Sequence, residues 1–305
     1  MSDLLKYLLG NSEKTVSEGS SSSRSSELPT QPYSSHSKDN LPSRLSDNTS
    51  QFVVGIGNSI GRQREHNEDA LFVMTTNVIS DNTNLPLGLY IVADGMGGHL
   101  HGEKASQVAV QAMANHVLSN ILQPILDKSN GENEGSVVEI MEEGVTSAHQ
   151  AIIQQAPGGG STLTGLLLLD DEMTIAHIGD SRAYTIGSDG KTKVLTTDHS
   201  LVKRLEDLGQ ITSDEAAVHP QRNVLYRALG QAETIDAELI AAPLPKSGYL
   251  LLCSDGLWGV VSENEMVNIV SSAVSPQEAS QSLLAAANTA GGPDNISVIV
   301  IELPG

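Results

Sequence analysis

Four acidic positions in this chain stand where an apolar run meets a turn or a glycine. Asn67-Glu68-Asp69 precedes the run that begins at Ala70, and Asp94-Gly95 follows Leu89 to Ala93. Asp255-Gly256 follows Tyr249 to Cys253, and Asp294-Asn295 precedes the run from Ile296. A carboxylate at a strand end is held by rigid backbone yet faces a rim. A following glycine lets the backbone pass close to a bound ion, so its carbonyl can serve as a ligand. Carboxylate, carbonyl and water oxygens suit Mg²⁺ or Mn²⁺. The Cys₄ or His-rich spacing of a zinc site is absent. Taken singly, each Asp-Gly reads more readily as an ordinary turn, and spacing alone does not bring the four segments together. Arg64 stands just before Glu68 and Asp69 in a sequence poor in cations. Its guanidinium fits two roles equally: a plain ion pair, or a bidentate clamp on a phosphate held at the metals.

Elements able to position these groups can be read from periodicity. Phe52 to Gly57, Ala70 to Thr76 and Leu87 to Ala93 read as strands. Apolar residues at helical spacing then predict helices over Gly102 to Leu122 and Val137 to Ile153. Ser161 to Leu169, Met173 to Ile178, Ala183 to Ile186 and Thr192 to Thr196 read as strands. Their short polar links, such as Asp170-Asp171 and Ser188-Asp189-Gly190, suit antiparallel hairpins. A helix from Ser200 to Leu208 opens a less regular stretch ending near Gly230. Strands Thr234 to Ala241 and Tyr249 to Cys253 follow, then helices Glu263 to Ser271 and Pro276 to Thr289, then a last strand Ile296 to Leu303. Helices arriving in pairs between strand meanders argue for the α+β class, antiparallel sheets covered by helices. Periodicity alone does not establish how the sheets stack.

The chain has 305 residues, of which 39% are hydrophobic and only 3% aromatic, so the core must rest on aliphatic side chains. Its formal charge of −20 opposes nucleic acid and anionic membrane as partners. An acidic protein that handles phosphate needs positive charge from elsewhere, and bound cations are the obvious source. The single cysteine, Cys253, rules out an internal disulfide and reads as a buried packing thiol. No apolar stretch approaches the roughly 20 residues that span a bilayer, and a signal peptide is not evident. The expectation is a soluble cytoplasmic protein. Residues 1–50 are Ser-rich and read as a disordered tail, with residues 51–305 forming one domain.

At these acidic positions the chain resembles the metal-dependent protein phosphatases, the PPM or protein phosphatase 2C family, in its bacterial form. The resemblance spans roughly Gln51 to Leu303, with motifs in the family's order. They are Arg64-Glu-His-Asn-Glu-Asp69; Val92-Ala-Asp-Gly-Met-Gly-Gly-His99 with Gly102-Glu103; Gly160-Ser-Thr162; Ile178-Gly-Asp-Ser-Arg-Ala183; Thr197-Asp-His-Ser200; Leu252-Cys-Ser-Asp-Gly-Leu-Trp258; and Gly292-Pro-Asp-Asn295. Each alone is weak, but the ordered set is specific.

The resemblance implies a central antiparallel β-sandwich flanked by helix pairs, in α-β-β-α layers. It implies that Asp94 bridges two metals and that the Gly95 carbonyl binds one. Asp255 and Asp294 complete the other shell, and Glu68 and Asp69 hold metal directly or through water. Asp180 resembles a ligand of a third, weaker metal, shared with Asp255. Arg64 matches the phosphate-binding arginine. The implied reaction is in-line attack on phosphoserine or phosphothreonine by a metal-bridging hydroxide, with Mn²⁺ or Mg²⁺ as cofactor. The implied partner is a phosphorylated protein of a serine/threonine kinase pathway, and the chain is expected to be a monomer. The alternatives are a small-molecule phosphatase and an inactive regulatory module of the same fold. One departure stands out: the position after Asp94-Gly95, a proton-donating histidine in eukaryotic members, is Met96, whose thioether cannot donate. Water near Asp180 is the candidate general acid. Residues 199–229 match the family's variable flap, where Arg222 and Arg227 are candidate substrate contacts. His66 is a weaker candidate, while His99 and His101 read as loop or helix-start residues and Trp258 as core.

Overall fold

The computed structural model describes residues 52–80, 83–97, 100–126 and 136–304. The Ser-rich segment expected to be a tail lies outside the described residues, as does His99. The first long feature is an antiparallel hairpin of β2 (Asp69–Ser80) and β3 (Thr83–Met96). Its register sets Asp69 opposite Asp94 at the open end and Ser80 opposite Thr83 at the other. The remaining strands are β1 (Val53–Ser59), β4 (Gly160–Ser161), β5 (Leu163–Leu169), β6 (Glu172–Ile178) and β7 (Arg182–Ile186). They continue with β8 (Thr192–Val194), β9 (Glu238–Pro243), β10 (Gly248–Cys253) and β11 (Ile296–Leu303). Two sheets result. One has the order β2-β3-β5-β6-β9, with β4 paired to the end of β3. The other has the order β1-β11-β10-β7-β8.

Period-two patterning explains the stacking of these sheets. Along β3, Leu89, Ile91 and Ala93 turn to one buried face while Tyr90 and Val92 turn to the other. Along β10, Leu250 and Leu252 share the core of Tyr90 and Val92, whereas Leu251 and Cys253 point away. Tyr90, Val92, Leu166, Leu250, Leu252 and Ile299 therefore fill the space between the sheets. Both faces of each central strand are covered, so these strands read as continuous apolar runs. Each fully buried Leu or Ile contributes roughly 1.5–3 kcal/mol, and a one-residue slip would exchange every one of them between layers.

Helices cover the outer faces. The helices α1 (Leu100–Val117) and α2 (Val137–Gln155) pack Ala109, Met113, Met141 and Val145 onto Leu89 and Ile91. Ser136 and Glu139 form a reciprocal capping box that starts α2. A π-helical segment, Leu118–Leu122, prolongs α1. Over the second sheet lie α6 (Glu263–Ser272) and α7 (Pro276–Thr289), whose Val270 and Leu283 meet Val298 and Val300. Three shorter helices fall between: α3 (Leu201–Asp207), α4 (Ser213–Ala217) and α5 (Asp255–Trp258). The layers are α-β-β-α, as the expected architecture requires. No helix among the described residues is long and apolar enough to cross a membrane.

The strands differ from expectation chiefly in length. Expected strand Leu87 to Ala93 extends in both directions, so Asp94 and Gly95 lie inside β3 and not beyond its end. Gly95 and Met96 stay paired because β4 offers Ser161 and Gly160 as partners. The expected strand from Thr234 starts only at Glu238, where pairing with His177 of β6 begins.

Candidate active site

The site is built at the open end of the β2–β3 hairpin, where the two sheets meet. Asp94 is held at its backbone: its N–H donates to Thr162 Oγ1 at 2.9 Å, and its carbonyl accepts from Thr162 N–H at 2.8 Å. The N–H of Gly95 donates to the Glu68 carbonyl at 3.1 Å. A Cβ on Gly95 would lie 2.1 Å from the Gly102 carbonyl oxygen, and a Cβ on Gly102 would lie 2.0 Å from Glu68 Oε2. Only hydrogen at both positions lets the start of α1 press onto Asp94-Gly95 with the Glu68 carboxylate between them.

The second sheet contributes the other carboxylates from strand ends. Asp255 opens α5 directly after β10, and Asp294 precedes β11. Asp180 sits in the turn from β6 to β7, where its carbonyl accepts from Trp258 Nε1–H at 2.9 Å. The sheets are tied by the buried Ser254 hydroxyl, which donates to Asp69 Oδ2 at 2.8 Å and accepts from Ser297 N–H at 2.9 Å.

Burial and crowding distort the electrostatics of these groups. Burial, with the Asp255 and Asp294 charges added, pushes Asp69 up to about 7 against the opposing Ser254 and Ser297 hydroxyls. Burial and then Asp69, Asp255, Asp180 and Asp294 push Asp94 well above the usual carboxylate range. Asp255 is raised to about 6 by burial and Asp294, opposed by its hydrogen bond to Asp94. Burial and Asp255 raise Asp180 as well. The five aspartates expected from sequence thus converge closely enough to repel one another. Against them stands Arg64, whose Nη2 donates to Asp294 Oδ2 at 2.6 Å. Asp69 Oδ1 and Asp255 Oδ1 are buried without a protein hydrogen-bond partner. Orphaned anionic oxygens among carboxylates that resist sharing a site suit hard divalent cations with oxygen ligands.

A family model described as protein phosphatase 2C matches residues 56–288. The chain belongs to this family. The serine/threonine phosphatase stp of Listeria monocytogenes is 35% identical over 242 residues, covering 79% of this chain and 92% of that protein. The protein phosphatase PhpP of Streptococcus pneumoniae is 36% identical over 218 residues, covering 70% and 85%. In structure, the Mycobacterium tuberculosis serine/threonine phosphatase PstP/Ppp superposes with a TM-score of 0.69 at 31% identity, covering 84% of this chain and 100% of that one. A structure of the catalytic domain of PstP in complex with two manganese ions gives a TM-score of 0.68 at 29% identity, covering 84% of this chain and 100% of that one.

Within this protein phosphatase 2C fold, residues 199–229, the stretch expected to form a flap, are rooted on both sides of the carboxylates. At one root, His199 N–H donates to the Gly179 carbonyl at 2.7 Å, beside Asp180. At the other, Leu229 and Ser161 exchange backbone hydrogen bonds, and Ser161 Oγ donates to the Asp94 carbonyl at 3.1 Å. His177, His199 and Glu238 offer ligand atoms within 4.8 Å of one another. Most of their polar atoms are already engaged: His177 bonds Thr164 Oγ1 and the Thr197 carbonyl, and His199 Nδ1 accepts from Gly179 N–H. Glu238 accepts from Thr197 N–H and Oγ1–H. This cluster is a hydrogen-bonded joint where residues 199–229 leave the sheets.

Sequence reasoning missed several supports. Arg182 holds Asp198 with two hydrogen bonds, 2.9 and 2.6 Å, and stacks 3.6 Å from the Trp258 ring centroid. Trp258 therefore braces Asp180 from a half-buried position as well as meeting the outer core. Cys253 is buried, and burial pushes its thiol up to about 12. Of the flap cations, Arg227 pairs with Asp236 at 2.7 Å, and Arg222 is exposed. His66 and His101 are also exposed, and Met96 is half-buried at the end of β3.

Proposed function

We propose that this chain is a metal-dependent serine/threonine protein phosphatase acting on phosphoserine and phosphothreonine in proteins. The observation that carries the reading is the convergence of Asp69, Asp94, Asp180, Asp255 and Asp294, the first four of which have their proton affinity raised by burial and by their neighbours. The names of the bacterial relatives support the activity and the substrate class. Asp94, the Gly95 carbonyl, Asp255 and Asp294 would hold two divalent cations, with Glu68 and Asp69 in support, and Asp180 would hold a third, weaker one. Mn²⁺ or Mg²⁺ bound there would supply Lewis-acid charge and a source of nucleophilic water at neutral pH.

The chain's own groups do the rest. Arg64 reaches the rim half-exposed and already oriented by Asp294, so it can clamp the phosphate and offset charge on its equatorial oxygens. The rooted flap flanks the site where the residues around a phosphorylated side chain would lie. The physiological setting we infer is a cytoplasmic monomer opposing a serine/threonine kinase. Incubation with a phosphothreonine peptide and with sugar phosphates, each with Mn²⁺, tests the substrate class. Peptide turnover is expected; turnover of sugar phosphates alone would replace this reading with a metabolite phosphatase.

A further inference from the structure

Arg64 lies on an exposed loop that packing alone does not hold. Residues 62 to 66 are exposed, and Arg64 keeps 49% of its side-chain surface. A clamp needs a fixed guanidinium, so something must fix the loop. Asn295 does so from beneath. It is 4% exposed, and three of its four side-chain hydrogen-bonding positions go to the loop's backbone. Its Oδ1 accepts from Glu68 N–H at 2.8 Å, and its Nδ2 donates to the carbonyls of Ile60 and His66, both at 2.9 Å. These bonds pin both ends of the segment that carries Arg64. The Asn295 N–H also donates to Asp294 Oδ1 at 2.8 Å, while Arg64 binds Asp294 Oδ2 at 2.6 Å. One residue therefore sets the loop and also the carboxylate that aims the arginine. Additional ties hold one end or the other. The Gly292 carbonyl accepts from Arg62 and Gln63 N–H, while at the far end Asn67 Nδ2–H donates to Asn58 Oδ1 and the Glu68 carbonyl accepts from Gly95 N–H and Ser106 Oγ–H. Of these partners only Asn295 bonds both ends.

We propose that Asn295 is the positioning residue of the phosphate clamp, acting on phosphate through Arg64. The inference rests on the phosphatase reading and adds a residue to it. Asparagine is required because the site calls for one acceptor and two donors at a single buried point. Aspartate keeps the acceptor and loses both donors. Leucine keeps the volume and loses all three bonds.

The test is a double-mutant cycle on Mn²⁺-dependent hydrolysis of p-nitrophenyl phosphate, with inorganic phosphate as competitive inhibitor. Arg64→Ala and Asn295→Ala are each expected to weaken phosphate inhibition and kcat/KM by about tenfold, the scale of one charge-assisted contact. In the double variant the second change should add little. Asn288→Ala, which removes a 3.3 Å bond to Ser59 Oγ on the same side of the fold, should leave phosphate inhibition unchanged. Asn295→Asp, closest in shape, serves if the alanine variant does not fold, and is expected to weaken inhibition likewise. Losses that multiply, or unchanged inhibition in both Asn295 variants, would overturn the proposal. An inactive wild type would overturn the phosphatase reading beneath it.

Discussion

Asp69→Asn should move stability and activity in opposite directions. Asp69 is buried, donates nothing when ionised, and has its value raised from 3.8 to about 7 by burial and by Asp255 and Asp294. Ionising it at pH 8 without a cation therefore costs the fold on the order of 4 kcal/mol, from about three pH units at 1.36 kcal/mol each. Asparagine keeps the shape, and its carbonyl oxygen can still accept from Ser254 Oγ–H, which now bonds Asp69 Oδ2 at 2.8 Å. Recovering even 1 kcal/mol raises the melting temperature by about 2–4 °C in a domain of this size. Thermal denaturation in EDTA at pH 8 should thus show the variant melting above wild type. With Mn²⁺ present the order should reverse, because the cations stabilise wild type by linkage, and phosphatase activity should fall. A variant that melts lower in EDTA would refute the reasoning. It would make Asp69 a structural acceptor whose bond to Ser254 outweighs its repulsion.

Other outcomes follow from the same geometry. In EDTA, stability should fall as pH rises from about 6.5 to 7.5, because the unfolded chain has released carboxyl protons that native Asp69, at about 7, still partly holds. The neutral imidazoles His177 and His199, lowered to about 3 and about 4, contribute the opposite slope only below about 6.5. Melting curves across that window check it, and a rise would contradict it. Gly95→Ala forces a Cβ to 2.1 Å from the Gly102 carbonyl, so α1 must shift off the site. A loss of several kcal/mol is expected by denaturant titration, and an unchanged midpoint would show the contact to be soft. Asp180→Ala should slow a phosphothreonine peptide more than an aryl phosphate, whose leaving group scarcely needs a proton. Equal slowing would remove Asp180 from leaving-group protonation.

How far the sequence carried can be read from particular residues. The α+β class was legible because β10 and β11 are apolar on both faces and α1 and α2 carry clear stripes, while the α-β-β-α stacking came from the family resemblance. Strand β3 was read too short because Thr83-Asn84 and Asp94-Gly95 are polar yet stay in the ladder. The five-residue α4 was missed although Thr212 and Glu215 form a capping box, since no apolar stripe marks so short a helix. Each acidic position was visible as a strand-end residue. Their meeting was not legible from spacing and came only from the family resemblance, because Asp69 and Asp255 belong to opposite sheets joined through Ser254. The role of Asn295 was invisible for a different reason: its partners are backbone groups of Ile60, His66 and Glu68, which carry no side-chain signature.

The most direct measurement of the central claim is hydrolysis of a phosphothreonine peptide by wild type and Asp94→Ala, each with Mn²⁺ and with EDTA. Asp94 is the carboxylate whose ionisation is opposed by four other aspartates at once. Wild type should turn over only with Mn²⁺, and Asp94→Ala should be folded and inactive in both conditions. Turnover by wild type in EDTA, or retained activity in Asp94→Ala, would contradict a carboxylate-held metal centre as the source of catalysis.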